Sequence, residues 1–361
     1  MVLYDRAESL SEARARDAVI AVIIPARNEA DVIGKSVASL LGQSCVEALH
    51  IFVVDDNSTD GTAEAVRQAA SQSSHGERLS VINGRELPSG WSGKLWAVQQ
   101  GIEQATLLQP EFLLLTDADI EHSPDNVATL VRIAKTDDYD LASFMVKLHC
   151  RSVAGKLLIP AFVFFFFMLY PPKWIRNPRR KTAGAAGGCM LVRPAALERA
   201  GSIAAIRQEI IDDCALARAV KQTGGKVWLG LTAETRSLRA YNTFAEIERM
   251  IARTAFNQLR HSAWLLLGTV LGMLLVFVLP LALLASRSAW LVMIGAAAYL
   301  LMSAAYLPMV RFYQLSPLWA LTLPFSAAFY VVATIHSAVM YWSGRGGEWK
   351  GRTQDIVRSR H

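Results

Sequence analysis

Three long runs without a charged side chain constrain this chain more than any other feature. No Asp, Glu, Lys or Arg occurs from Ser262 to Ala285, from Ala289 to Val310 or from Phe312 to Gly344. Each run reaches the roughly 20 apolar residues that a helix needs to cross about 30 Å of hydrocarbon. Helices of a soluble core rarely stay uncharged on every side for so long, so residues 262–342 read as transmembrane helices and three core helices are the weaker alternative. The apolar excess behind the hydrophobic fraction of 52% lies mostly in this C-terminal region.

The rest of the chain has a different character. Met1–Asp17 is polar and charge-rich, with no apolar stretch of the secretory kind, so residues 1–18 are expected to be a polar tail and the following domain cytosolic. Cys45, Cys150, Cys189 and Cys214 are scattered, which suits a reducing compartment and argues against a clustered zinc site. The net charge is +6. Its basic residues gather beside apolar segments: Lys173, Arg176, Arg179, Arg180 and Lys181, and the tail 343–361 with Arg345, Lys350, Arg352, Arg358 and Arg360. That placement favours anionic lipid headgroups or phosphate over nucleic acid. Three full crossings would put this tail on the far side from the N-terminal domain, against the positive-inside tendency. Either Leu318–Trp342 does not cross fully or another segment does.

Between Val19 and Leu148 apolar runs alternate with amphipathic ones. Strands are expected at Val19–Ile24, His50–Val54, Leu79–Ile82, Phe112–Leu115 and Leu141–Val146, with helices near Asp31–Leu41 and Thr62–Ala70. The alternation implies an α/β fold with a mainly parallel sheet and helices on both faces, and its ligand lies beyond the carboxyl ends of the strands. Leu157–Tyr170, with Phe164–Phe167, is about fourteen apolar residues long and is followed by basic ones. It is short for a crossing, and 157–172 reads best as a helix at the membrane interface. A buried core helix and a true crossing are the alternatives.

Two acidic clusters fall at strand ends. Asp55-Asp56-Asn57-Ser58-Thr59-Asp60-Gly61-Thr62 offers caps for the next helix, which explains Ser58–Thr62 but not two adjacent acids at a strand terminus. Those call for bound hydrogen donors, as a base and ribose would supply. In Thr116-Asp117-Ala118-Asp119-Ile120-Glu121, alternation puts Asp117, Asp119 and Glu121 on one side if the chain stays extended. Three such oxygen donors suit Mg²⁺ or Mn²⁺; a solvated acidic loop is the plain alternative.

Val22-Ile23-Ile24-Pro25-Ala26-Arg27-Asn28-Glu29, the Asp55–Thr62 motif and Asp117-Ala118-Asp119 together resemble the family 2 glycosyltransferases. The resemblance spans about Val19–His261 and implies a GT-A (Rossmann-like) catalytic domain over 19–261. It implies that Pro25, Ala26, Glu29, Asp55, Asp56, Lys94 and Asp117 bind the nucleotide, and that Asp119, Asp117 and Glu121 bind a divalent cation. Lys94 lies in Gly93-Lys94-Leu95-Trp96-Ala97, a family segment near the phosphates, although a solvated lysine at a helix start is its bland reading. Gly187-Gly188-Cys189-Met190 resembles the glycine segment of the donor-sugar and acceptor pocket, with Arg260 meeting the diphosphate; a plain turn is the alternative for the glycines. Asp213, with Asp212, aligns with the family's catalytic base, although acids in a first helical turn also serve the helix dipole.

Asn257-Gln258-Leu259-Arg260-His261 lacks the tryptophan that processive members carry here, so single-sugar transfer is expected. The whole is most similar to the hopanoid-associated membrane glycosyltransferases of bacteria, whose usual N-terminal apolar helix has no counterpart in Met1–Asp17. The implied reaction is an inverting transfer from a nucleotide sugar, most often a UDP-sugar, to a lipid acceptor at the cytoplasmic membrane. The rival readings are a polyprenyl-phosphate sugar transferase and a catalytically silent nucleotide-binding membrane scaffold.

Overall fold

The computed structural model describes residues 17–44 and 48–344, with the backbone of the short strands Glu348–Trp349 and Arg352–Thr353. The polar tail up to residue 16, Cys45, and Arg345, Lys350, Arg358, Arg360 and the side chain of Arg352 lie outside the described residues. The chain divides into two compact units. One comprises the chain up to Leu148 together with Tyr170–Arg239; the other comprises His149–Leu169 and Ala240–Glu348.

The first unit is built on eight strands: β1 (Val19–Ala26), β2 (Ala48–Asp55), β3 (Leu79–Asn83), β4 (Phe112–Leu115), β5 (Ile120–Glu121), β6 (Leu141–Lys147), β7 (Met190–Val192) and β8 (Val227–Ser237). Their order is β3-β2-β1-β4-β7-β6-β8-β5. From β3 to β4 every pair is parallel. Beyond β4 the sheet is mixed, because β7 runs antiparallel to both β4 and β6, whereas β6 and β8 are parallel. β1 and β4 read as unbroken apolar runs because they are covered on both faces. Residues 20–26 of β1 and all of β4 are buried, joined in the core by Ile33, Val37 and Leu130 from flanking helices.

Register places the site. Ala26 pairs with Asp55, so β1 and β2 end level and release Arg27 and Asp56 together, whereas Leu115 pairs with Ile23, so β4 stops short of them and its turn, from Thr116 on, runs alongside the end of β1. The expected strands and helices all form, most of them one or two residues longer than the apolar run itself.

The second unit is helical. Its C-terminal helices Ala263–Leu283, Ala289–Phe312 and Pro317–Trp342 are each long and apolar enough to cross a membrane, and so is Val153–Arg176. Large apolar side chains stay exposed along them, including Leu275, Leu301 and Val332, and Trp264, Trp290 and Trp342 sit near helix ends, the pattern of a lipid-facing bundle with interfacial aromatics. The helix Val153–Leu169 contains Pro160, which removes a backbone donor. In the same stretch, the carbonyls of Leu157 and Leu158 accept hydrogen bonds from Ser326 Oγ at 2.8 Å and the Tyr330 hydroxyl at 3.1 Å. Phe164 meets Tyr306, and Phe165 meets Phe277 and Tyr330, edge to face.

Candidate active site

The loops after β1 and β2 are stitched together by short polar side chains. Asn28 and Asn57 adopt left-handed backbone conformations, which Asn tolerates better than most residues. The Asn28 carboxamide oxygen accepts from Thr59 N at 2.9 Å, and Ser58 Oγ accepts from Asn28 N at 3.0 Å. Asp60 accepts from Ala30 N with one oxygen and from Thr62 N with the other, so it serves the starts of two helices at once. Asp55 Oδ1 accepts from Ser58 N at 3.0 Å. Asp56 is buried, and the Arg27 guanidinium lies 3.6 Å from its carboxylate and donates to its backbone oxygen. The hydrogen-donating partners that two adjacent acids require are thus partly supplied by the protein. Pro25 ends β1 beside Ala26 and lines the cleft described next.

That cleft is also walled by Lys94, Thr116, Asp117, Gly187 and Asp212. Ser92 caps the helix Gly93–Ala105 and sets Lys94 in its first turn. Lys94 Nζ bridges Asp117 Oδ1 at 2.8 Å and Asp212 Oδ2 at 3.0 Å. Burial alone would lower its pKa, but the two carboxylates outweigh that and raise it, so the ammonium stays charged. Burial, with Asp119 and Asp212 nearby, pushes Asp117 up despite Lys94. One lysine is too little positive charge for this group of acids.

Asp213 opens the helix Asp212–Gln222. Its Oδ2 accepts from Gly187 N at 2.8 Å and its Oδ1 from Cys214 N at 2.7 Å. Burial first, and Asp212 second, push its carboxyl up to about 6, where a base is poised for work near neutrality. A Cβ at Gly187 would stand 3.4 Å from Asp213 Oδ2 and 3.7 Å from Lys94 Nζ, so the glycine keeps this corner open. Gly188 packs against Ile120 and Val146, and its carbonyl accepts from Thr116 Oγ1 at 2.7 Å.

Asp119 accepts from Ser237 Oγ at 3.1 Å and from Arg239 Nε at 3.3 Å. The same guanidinium grips both oxygens of Glu29, at 2.8 and 2.6 Å. Glu29, expected to touch nucleotide, is therefore joined to Asp119 through one arginine. Glu121 departs from expectation. The chain turns at Ala118-Asp119 instead of staying extended, so alternation fails and Glu121 lies on β5, paired through both oxygens to Arg236. Among the described residues no three His, Cys, Asp or Glu side chains gather closely enough to hold a metal ion. Asp117 and Asp119 fit a hard cation as a pair of oxygen donors amid excess negative charge, while Glu121 does not join them. Arg260 lies exposed in a left-handed turn of the second unit. Beside it His261, where processive members carry tryptophan, stacks on Tyr341 with ring centroids 4.0 Å apart.

Sequence reasoning passed over Arg27, Arg236, Ser237, Arg239 and His122. The signal for the arginines was the excess of acids, which demands cations from somewhere. His122 is buried and held neutral, its pKa pushed down to about 3 by burial. It contacts Thr116 Oγ1 at 3.0 Å and the Asn126 amide at 2.9 Å, and Asn126 accepts from Thr235 at 2.9 Å. This network fixes the base of the acidic turn against β8.

Comparison with known proteins bears on the family and the fold. The family model "Glycosyl transferase family 2" matches residues 21–201, half of the chain. The glycosyltransferase YibD of Escherichia coli is 32% identical over 123 residues, 34% of this chain and 32% of that one. The 4,4'-diaponeurosporenoate glycosyltransferase of Staphylococcus haemolyticus is 32% identical over 124 residues, 33% of this chain and 30% of that one. The chain thus spans about a third of the length of these curated relatives. Among solved structures, the mannosyltransferase PcManGT of Pyrobaculum calidifontis, in complex with GDP-Man and Mn²⁺, superposes with a TM-score of 0.57 at 19% identity, covering 90% of this chain and 88% of that one. With its Rossmann-like mixed sheet of the GT-A kind, the chain belongs to glycosyltransferase family 2.

Proposed function

We propose that the protein transfers a single sugar, with inversion, from a nucleotide sugar to a lipid acceptor at the cytoplasmic face of a membrane, with 19–261 as its catalytic part and 262–342 as its anchor. The observation that carries this reading is Asp213, a carboxylate oriented by two backbone N–H groups and poised near neutral pH beside the Lys94 bridge. An alcohol is a poor nucleophile until its proton leaves. Asp213 takes that proton as the acceptor oxygen bonds to the anomeric carbon and the bond to the nucleoside diphosphate breaks. Lys94 stays protonated through the step and faces the departing charge. Mg²⁺ or Mn²⁺, held by Asp117 and Asp119, would neutralise part of the same charge. Pro25, Ala26, Asp55 and Asp56 would line the nucleoside end, with a UDP-sugar the first donor to test and GDP-mannose, the ligand of the Pyrobaculum neighbour, the second.

The apolar helices support a lipid acceptor, since a catalytic domain tied to lipid-facing segments would meet a lipid substrate directly. A hopanoid alcohol is the acceptor the resemblance favours. Asp213→Asn is the test. It should cut transfer to a lipid alcohol by about 10²–10⁴-fold while leaving donor binding intact. In the unaltered enzyme the rate should fall tenfold per pH unit below about 6, because protonation removes the base, and this limb should vanish in the variant. Turnover by Asp213→Asn with a neutral alcohol at the original rate sinks the assignment. Turnover only with polyprenyl phosphate, whose oxygen is already ionised, would replace the lipid alcohol with that acceptor.

A further inference from the structure

Helix Val153–Leu169 is long and apolar enough to span a bilayer when extended to Arg176, yet the sheet forbids it to cross once. β6 ends at Lys147 before the helix, and β7 follows it at Met190. β7 is hydrogen-bonded to β6 on one side and to β4 on the other. A single crossing would put β7 and β8 on the opposite side of the membrane from the strands they pair with. The segment must therefore enter and leave from the same face, and the residues that leave it must lie where headgroups are.

Those residues have a marked composition. Between Asp140 and Glu198 the chain carries nine Lys and Arg and no acid. Just after the helix, whose Met168 and Leu169 are more than half exposed, come Lys173, Trp174, Arg179, Arg180 and Lys181, all exposed. Arg176 turns back towards Tyr139; the other four cations form no ion pair with an acid among the described residues. The strap is also shaped by the protein. Ile175 is fully buried beneath it. Lys221 Nζ ties the carbonyls of Trp174, Ile175 and Thr182, at 3.3, 2.5 and 2.8 Å, and the Arg180 guanidinium stacks 5.0 Å over the exposed Trp174 ring. A loop held from beneath, with four cations and an amphipathic aromatic ring turned to solvent, is built to meet a surface that is negative and partly apolar.

We propose that residues 171–181 form a docking strap for the anionic headgroups of the bilayer leaflet that receives helix Val153–Leu169. This rests on the membrane-anchored part of the reading above and not on its chemistry. Each cation contributes through the negative surface potential, roughly fivefold in local binding per charge, while Trp174 sits at headgroup depth.

The test is hydrogen exchange of the full chain in nanodiscs of phosphatidylcholine, with or without phosphatidylglycerol. The amides of Lys173–Asn177 and Arg179–Lys181 should exchange about fivefold or more slowly with the anionic lipid present. That difference should collapse in about 1 M salt, where the Debye length is about 3 Å. It should also be lost in the combined variant Lys173→Gln, Arg179→Gln, Arg180→Gln, Lys181→Gln, with β2 peptides unchanged as the check on folding. Equal exchange in the two lipids, protection that survives in the variant, or protection conferred on phosphatidylcholine discs by inorganic phosphate alone would each overturn the strap. Transfer by the same variant, compared with Asp213→Asn, keeps failure here separate from failure of the proposed chemistry.

Discussion

The acids after β2 and the acids around Lys94 are held in different ways. Asp55 and Asp60 accept from backbone N–H groups of their own and neighbouring loops, and those donors cannot leave without unfolding the turn. Asp117, Asp119 and Asp212 lean on the ends of long side chains, Lys94 and Arg239, which can swing away by rotating about a few bonds. The first region is therefore a fixed receptacle. The second is a set of charges whose partners can be exchanged. In the proposed reaction that difference would separate rigid recognition of a nucleoside from neutralisation of a diphosphate that must later depart.

The largest break in this contrast should come from Lys94→Met. Removing the ammonium leaves Asp117 and Asp212 facing each other in a partly buried cleft, with Asp119 and Asp213 close by. Transfer should fall by about 10²–10³-fold, the scale seen when a preorganised electrostatic donor is removed. Stability at pH 7 should fall by about 2 kcal/mol, since a charged hydrogen bond is lost and carboxylates are left uncompensated. Millimolar Mn²⁺ should restore part of that stability in thermal melts, because the vacated position suits a cation. A variant as stable as the parent, with no response to Mn²⁺, would mean that Lys94 is a spectator.

Much of the fixed region was legible in the sequence and little of the exchangeable one was. β1, β2 and β4 announce themselves as apolar runs ending in polar turns, and Phe112–Leu115 was readable to the residue. Asp55–Thr62 and Asp117–Asp119 were visible because their spacing is local. β7, three residues long, and β5, two residues long, carry too little pattern to detect, and β8 ends in the polar residues Glu234-Thr235-Arg236-Ser237. Arg239 meets Asp119 and Glu29 from 120 and 210 residues away, and a lone arginine offers no periodicity to mark it. Glu121 misled because alternation was assumed across a stretch where Ala118 and Asp119 make a turn. The placement of a side chain after a turn depends on backbone angles that composition does not reveal.

Arg239→Gln sharpens the comparison at a smaller scale. The guanidinium pairs with Asp119, so its removal should raise the protein's affinity for Mn²⁺ by about tenfold, as expected for deleting one positive charge near a divalent ion. The apparent KM for the nucleotide sugar should rise, because a cation able to turn from Asp119 to the diphosphate has gone. Arg27→Gln, on the fixed side, should leave Mn²⁺ affinity unchanged although its guanidinium also faces an acid. Calorimetric titration of both variants with the metal alone separates the two regions without relying on turnover. Equal shifts for both would erase the distinction between them.

The smallest effect concerns the fixed region itself. Asp60 accepts from Ala30 N and Thr62 N, and Thr62 Oγ1 in turn accepts from Glu29 N at 2.9 Å, so one carboxylate and one hydroxyl hold two helix starts and the loop that carries Glu29. Asp60→Ala removes a capping acceptor and should cost about 1 kcal/mol of stability. These partners also hold the Asp60 carboxyl below its ordinary pKa, against the opposing effect of partial burial. A carboxylate with a depressed folded pKa contributes stability above its unfolded pKa of 3.8, and loses it as pH falls through the lower folded value. The gap between parent and Asp60→Ala should therefore be full at pH 7 and shrink below about pH 4, while Mn²⁺ affinity stays that of the parent throughout. Chemical denaturation of the two proteins at pH 7 and pH 3 reads this directly, and a gap that does not change with pH would place the stabilisation in the shape of the turn and not in the charge.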